Sequence, residues 1–518
     1  MGGFGLGGLP AALAATEPDS VTIGGASFAR RAARKDAPNV IYISLDDMND
    51  WVGYLGPADR EIGRLAAHTP NLDALAARSA LMNHAYAPVP MCLSSRVGIV
   101  TGRSPVATGV AGRNTFHLDT RCDDGPNRAC ASTALADNGT IFDSFWLDGY
   151  RTVSTGKIIH GGHLDRSVSR HGPFFDVVET EALQLDSVSQ EPGFGQLNDS
   201  NIFWSAPSIE SQVDDLAVAV ALEEIADHAA GRRSRPLFLA AGIYLPHLPW
   251  RPPQWAWDAN DVPFDPTPLD EALADLDDVP DIVKNGRNTT KVDLSDSSPN
   301  AGSQQDRLTA MHAYLASITY ADHLVGRILD AVNNSPMADN TIVAIWSDHG
   351  WHLGHKYHWK KMALWEQATR IPMLIHAPGR QGFTEGNTFS APISALDLYP
   401  TLAELCDVPL ATPLRNNRSK RVVNGASVDN MDGRSAVKRI QLGANGRNNP
   451  ALMTFGWDNY GVRRGKWHLI RYGDGSKELY NINNDPAEYN NLANDPARAK
   501  TISTLESFMP AIGERSFA

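Results

Sequence analysis

Apolar residues along the chain fall into short runs rich in β-branched side chains, separated by longer stretches with helical spacing. The run Val40 to Leu45 is apolar at nearly every position and stops abruptly at Asp46 and Asp47, as expected of a strand buried on both faces. Comparable runs at Tyr150 to Ser154, Leu237 to Ile243, Thr341 to Trp346 and Pro372 to His376 predict further strands, while Asn71 to Met82, Val213 to His228 and Gln305 to Asn333 predict helices. This alternation points to an α/β fold with a large, mostly parallel sheet sandwiched by helices. Trp257 to Gln304 is rich in Asp, Pro and Asn with weak periodicity, so 257–304 reads as a surface insertion rather than core. Beyond Leu410, Asn and Arg dominate to residue 450. Short strand-like runs (LMTFGW, VRRGKWHLIRYG, KELYNI) then precede a last helix near Pro496 to Met509, predicting a smaller C-terminal α+β domain. The expected organisation is a lead-in over 1–36, a main domain over 37–410 and the small domain over 411–518.

Composition narrows the function. Hydrophobic residues at 42% and charged residues at 20% are near globular averages, which argues against disorder or coiled coil for the chain as a whole. A net charge of −13 argues against nucleic acid and anionic membranes as partners, so an anionic substrate would need a local group of cations or a metal. No stretch approaches the ~18 consecutive apolar residues of a membrane helix, and no membrane insertion is expected. Met1 to Ala15 is apolar and ends in an Ala-rich stretch resembling a signal-peptidase site, although it lacks a basic start; it predicts export to the periplasm or medium. Four cysteines are too few for a disulfide scaffold. Cys122 and Cys130 are close enough in sequence to pair in an exported protein, and Cys406 reads as a small core residue.

The candidate chemistry sits where strands end. Asp46-Asp47 follows one predicted strand and Asp348-His349 another, and loops beyond strand C-termini are where open α/β sheets bind ligands. A lone Asp-Asp pair is ordinarily a solvated turn. Two acidic strand ends in one sheet favour a bound cation instead, and oxygen-rich ligation favours Ca²⁺ or Mg²⁺ over Zn²⁺. Cys92 precedes an apolar helical run ending at Thr101-Gly102, which places it at a helix N-terminus where negative charge is favoured, with Arg96 one turn on.

The strand with Asp46-Asp47, TPNLDALAARS, C-L-S-S-R from Cys92, TGRSP, GK-x-x-H from Gly156, LPHLPW, SDHGWHLG and ELYNINNDPAEYNNLA resemble, in this order, the type I sulfatases of the alkaline phosphatase superfamily. The pattern is nearest the iduronate-2-sulfatase-like branch. The resemblance implies an alkaline phosphatase-like fold with 37–410 as the catalytic domain, and Cys92 oxidised to formylglycine by a maturation enzyme. The aldehyde hydrate then attacks the sulfur of a sulfate ester and later expels sulfate by collapsing to the carbonyl. It also implies that Asp46, Asp47, Asp348 and His349, with the modified Cys92, hold a divalent cation, Ca²⁺ before Mg²⁺, and that Arg96 orients the hydrate. His160 would take a proton during elimination, while His247 and Lys361 would hold sulfate and assist the leaving alcohol, with Lys157 a further fixed cation near the sulfate oxygens. Lys360 competes with Lys361, and the spacing from Trp359 selects Lys361. Ser94 stands where the family motif has Pro or Ala, and His349 where many members have Asn.

These motifs touch only the sulfate group. Trp250, Arg251, Trp255, Trp257, His352, His355 and His358 could form a rim for a sulfated carbohydrate, or the aromatics could instead pin their loops to the core. Two other readings compete: a phosphonate monoester or phosphodiester hydrolase of the same superfamily, and a catalytically silent protein that binds sulfated glycans through an unmodified Cys92.

Overall fold

A computed structural model describes residues 19–55, 66–112, 131–160, 174–175, 213–248, 250–260, 275–284, 304–384, 386–411, 422–423, 426–427, 432–443, 449–456 and 458–512. Eight strands form the main sheet: β1 (Asn39–Leu45), β2 (Ala80–Met82), β3 (Arg151–Gly156), β4 (Phe174–Phe175), β5 (Leu237–Ile243), β6 (Thr341–Ser347), β7 (Met373–His376) and β8 (Asn387–Phe389). Their order is β8-β2-β7-β6-β1-β5-β3-β4. Five pairings are parallel and the two made by β7 are antiparallel, so the sheet is mixed with a parallel centre.

The central strand shows why the sequence reads as it does. Val40 and Tyr42 face one core with Phe142, Phe145 and Leu402, while Ile41, Ile43 and Leu45 face the other with Tyr314, Ile318 and Ile328. Alternate side chains enter opposite faces, and both faces are covered, so no polar alternation survives. Helices α1 (Pro70–Ala76), α4 (Val213–Ala229) and the thirty-residue α5 (Gln304–Asn333) cover the second face. Helices α2 (Cys92–Thr101), α3 (Ile141–Leu147) and α6 (Leu398–Leu405) cover the first. Register then aligns the strand ends: Leu45 pairs with Ser347 and with Ile243, and Gly156 with Gly242. Residues 46, 157, 244 and 348 therefore leave the sheet side by side. Gly242 is required here, because a Cβ would fall 2.0 Å from the Lys157 carbonyl oxygen.

A second, antiparallel sheet is a meander of β9 (Ala451–Thr454), β10 (Tyr460–Arg464), β11 (Trp467–Arg471) and β12 (Lys477–Asn481). Helix α7 (Ala499–Glu506) packs on one face through Leu505. The other face shares a core with Tyr86, Val89, Met91 and Trp365, so the small sheet backs the segment leading to Cys92.

Three sequence expectations change. The helix expected over Asn71 to Met82 ends at Ala76, and Ala80–Met82 is a strand, because its apolar residues pair with β7 and β8 instead of continuing a helical face. The single run VRRGKWHLIRYG is two strands turning at Gly465, which has φ 58. Within the expected surface insertion 257–304, Val279 and Val283 are buried in the core shared with the small sheet, and buried Asp275 holds Lys356 at 3.1 Å. Isolated apolar residues in a polar segment carry no periodicity to reveal such anchoring.

Candidate active site

Asp46 and Asp47 continue directly from β1, and both are completely buried. Asp47 adopts φ 62, an unusual left-handed conformation for a non-glycine residue. Three bonds hold it: its amide donates to Asp348 Oδ1 at 3.0 Å, and its carbonyl accepts the Tyr314 hydroxyl at 2.7 Å, which in turn accepts the Asn49 amide at 2.8 Å. The αL turn lets consecutive carboxylates face one centre.

Cys92 is the first residue of α2, whose helix closes at Gly102 with φ 65. Its sulfur lies 3.1 Å from Lys361 Nζ, 3.3 Å from His349 Nε2 and 3.8 Å from Asp47 Oδ1, and His160 also hydrogen-bonds it. Burial pushes the thiol up, but Lys157, Lys361 and His349 overturn this and hold it well below the usual thiol value. Asp46, Asp47, Cys92 and His349 each bring one donor atom within 4.8 Å of the others. Asp348 stands beside that set. Its Oδ1 accepts the amides of Asp47 and His349, its Oδ2 accepts Arg96 Nε at 2.7 Å, and it lies 3.7 Å from His349 Nε2.

Arg96, one turn along α2 and fully buried, ties the strand ends together. It donates to the carbonyls of Lys157 (2.7 Å) and Ile158 (3.0 Å) and to Ser44 (3.2 Å), and it lies 3.3 Å from Asp46 Oδ1. Lys157 donates to Asp46 Oδ2. Lys361 donates to both oxygens of Asp47, at 2.7 and 3.0 Å, while Lys360 is exposed. His247 Nε2 lies 3.8 Å from Asp47 Oδ2. Burial raises the Asp46 carboxyl, yet Lys157, His247 and Arg96 bring it below the ordinary range. Burial pushes Asp348 up to about 6 against Arg96 and His349, and His349 rises to about 9 because Asp348, Cys92 and Asp47 outweigh its desolvation.

The residues named from the motifs thus converge. The sequence did not mark Ser44, Tyr314, Tyr244 or Asp214. Tyr244 lies under Lys157 Nζ at 4.7 Å and against the His247 ring at 4.6 Å. Buried Asp214, near the start of α4, accepts the amides of Tyr244 (2.6 Å) and Leu245 (2.9 Å), fixing the loop that carries His247. Burial pushes its carboxyl up to about 7 against those two bonds. The Asp214-Asp215 pair opening a helix was the available signal; nothing in the sequence says which loop it meets.

The proposed rim fares differently. Trp250 and Trp257 are buried, Trp250 donating to the Pro246 carbonyl and packing on Tyr314 and Trp351. His352, His355 and His358 are buried around Trp365. These residues pin loops; Trp255, at 38% exposure, is the tryptophan of the group that reaches solvent. Cys406 is buried in the main core, and Cys122 and Cys130 lie outside the described residues.

The donor set fits a divalent cation: two buried carboxylates, a thiol and an imidazole converge with Asp348 beside them, and Asp46 Oδ1 is buried with no hydrogen bond, only the 3.3 Å contact with Arg96. A second cluster, Glu366, His468 and Glu488, has equally close donors. Its carboxylate oxygens are each taken, Glu366 by Arg463 (2.9 Å) and the Tyr86 hydroxyl (3.0 Å), Glu488 by His468 (2.6 Å) and the Glu366 amide (2.8 Å).

The Sulfatase family matches residues 38–408, and the family described as N-sulphoglucosamine sulphohydrolase, C-terminal, matches residues 354–514. A protein named Sulfatase from Formosa agariphila is 29% identical over 480 residues, covering 92% of this chain and 87% of its own length. Iduronate 2-sulfatase of Homo sapiens is 28% identical over 401 residues, covering 74% of this chain and 66% of that protein. The solved phosphonate monoester hydrolase of Agrobacterium radiobacter superposes with a TM-score of 0.65 at 20% identity, covering 90% of this chain and 94% of its own, a likeness of fold.

Proposed function

Since the chain belongs to the sulfatase family and is a sulfuric ester hydrolase, we propose that it releases sulfate from a sulfated carbohydrate, with Cys92, oxidised to formylglycine, as the nucleophile. In this reading Asp46, Asp47, Asp348 and His349 hold Ca²⁺, or Mg²⁺ in its place. The cation would polarise sulfate oxygen and offset the charge that develops there.

The chain's own residues supply the rest. Lys157, Lys361 and His247 approach the sulfur-bearing centre from three separate loops, the arrangement a tetrahedral oxyanion needs. Arg96 fixes the helix carrying Cys92 to two strand ends, and His160, which hydrogen-bonds the same sulfur, would accept a proton. The carbohydrate reading rests on similarity to the iduronate 2-sulfatase. Residues 37–410 would carry catalysis, with 411–518 backing the nucleophile through Met91. Export and a maturation enzyme acting on Cys92 complete the proposal; among the described residues no helix is long and apolar enough to cross a membrane.

The observation that carries this reading is the buried Cys92 sulfur, at a helix start, between Lys361 and His349. The test is peptide mass at residue 92 in protein made with a competent maturation system, with turnover of matched aryl sulfate and phosphate esters. Loss of the thiol mass and preference for sulfate are expected. Preference for phosphate, or glycan binding with an intact thiol and no sulfate release, would overturn it.

A further inference from the structure

A second feature lies at the other end of the Cys92 helix. Gly433 donates its amide to the Gly102 carbonyl at 2.8 Å, and Arg103 pairs with Asp432 at 2.8 Å, so the 432–434 segment closes the C-terminal end of α2. Between this segment and β9 and β10 is a cavity of about 160 Å³, lined by Leu396, Asp397, Asp432, Leu452, Arg464 and Phe508 among others. Ten helical residues at ~1.5 Å each put it about 15 Å from Cys92 along the axis. It is separate from the catalytic centre.

Its polar groups are unequally matched. Asp397 accepts the Arg434 amide at 2.7 Å on one oxygen and Arg439 on the other. Asp432 likewise accepts the Ser104 amide at 3.1 Å and Arg103. Both carboxylates are therefore already satisfied. Arg464 is not: its guanidinium lies over the Phe508 ring at 5.3 Å, and its Nε is buried without an acceptor. A buried guanidinium donor lacking an acceptor is costly, and a planar oxyanion is its natural complement. Leu396, Leu452 and Phe508 supply the apolar wall on which a sugar face can lie. The volume is below the ~300 Å³ of ordinary small-molecule pockets, which suits one ring.

We propose that this cavity binds a single acidic sugar residue, with its carboxylate or sulfate on Arg464 and its ring against Phe508 and Leu452. It would hold an acidic glycan at a point remote from the sulfate being released.

Calorimetric titration of the full chain carrying Cys92→Ala, with glucuronate, galactose 6-sulfate and glucose, tests this directly and does not depend on which ester is hydrolysed. One or both acidic sugars should bind and glucose should not; glucuronate alone identifies a carboxylate site, galactose 6-sulfate alone a sulfate site. Arg464→Gln should weaken binding at least tenfold, and on the otherwise unaltered chain should leave aryl-sulfate turnover within twofold. Leu452→Trp, which fills the cavity, should also abolish binding and decides the matter if Arg464→Gln fails to fold. Glucose binding as well as the acids, no binding by either acid, or affinity unchanged in a folded cavity variant would overturn the proposal.

Discussion

Two clusters of buried acids and bases have the donors of a metal site, and they differ in one respect. In the cluster of Glu366, Glu488, His468 and Arg463, between the main domain and the small sheet, all four carboxylate oxygens are paired by groups of the protein. Around Cys92, Asp46 Oδ1 accepts no hydrogen bond and has only the 3.3 Å ion contact with Arg96, two lysines lean on the aspartates, and a thiol enters the same space. Residue types and spacing alone would call both metal sites. What separates them is how the carboxylates are held: in the first cluster every carboxylate oxygen accepts a hydrogen bond from the protein and only His468 Nε2 is buried without a partner, whereas Asp46 Oδ1 accepts none and is left for a cation to complete.

The sharpest division between the clusters is chemical. Cys92→Ala should lower sulfate release by roughly 10³-fold or more while leaving the melting temperature within a few degrees, measured by aryl-sulfate assay and calorimetry. Glu488→Gln should do the reverse, losing stability with turnover per folded molecule retained. Retained activity in the cysteine variant would end the nucleophile assignment.

Next in size are the two buried arginines. Arg96→Met and Arg463→Met each strand buried carboxylates and should each cost about 3–5 kcal/mol in denaturant unfolding. Added Ca²⁺ should recover part of the loss for Arg96→Met and none for Arg463→Met. Equal recovery in both, or in neither, would remove the distinction.

Chelation should then lower the melting temperature of the unaltered protein, since a ligand at a hundredfold its Kd stabilises by ~2.7 kcal/mol. Glu488→Gln should keep that response and Asp46→Asn should lose it. A chelator effect that survives Asp46→Asn would place the cation elsewhere.

The smallest effect concerns Asp214. Burial raises its folded carboxyl to about 7, above the unfolded value near ~3.9, so between those values the native state holds a proton that the unfolded chain has released. Its contribution to stability is complete below about pH 4 and is lost as pH rises through 7. Asp214→Asn should flatten that decline in a melting series and lower turnover through the His247 loop. An unchanged pH slope would remove Asp214 from the account.

Much of this was legible in the chain. Strand ends were readable because β1, β5 and β6 are apolar on both faces and β1 and β6 stop at acids, and Cys92 with Arg96 was readable from a helical run closing at Gly102. Partners contributed from distant elements were not: Tyr314 under Asp47, Asp214 on the His247 loop and the Glu366–Glu488 network each join residues far apart in sequence. Trp250 and the buried histidines looked like binding groups because an aromatic that pins a loop and one that meets a sugar are the same residue type; only burial tells them apart.

The shared core beneath Cys92 also limits recombination. Tyr86, Val89 and Met91 are seated on the small sheet through Met453, Ile470 and Tyr480, so its inner face is part of the mould for the nucleophile's approach segment. A chimaera that imports a homologue's C-terminal region without those three upstream side chains would inherit a mismatched seam, and the two regions cannot be exchanged as independent cassettes.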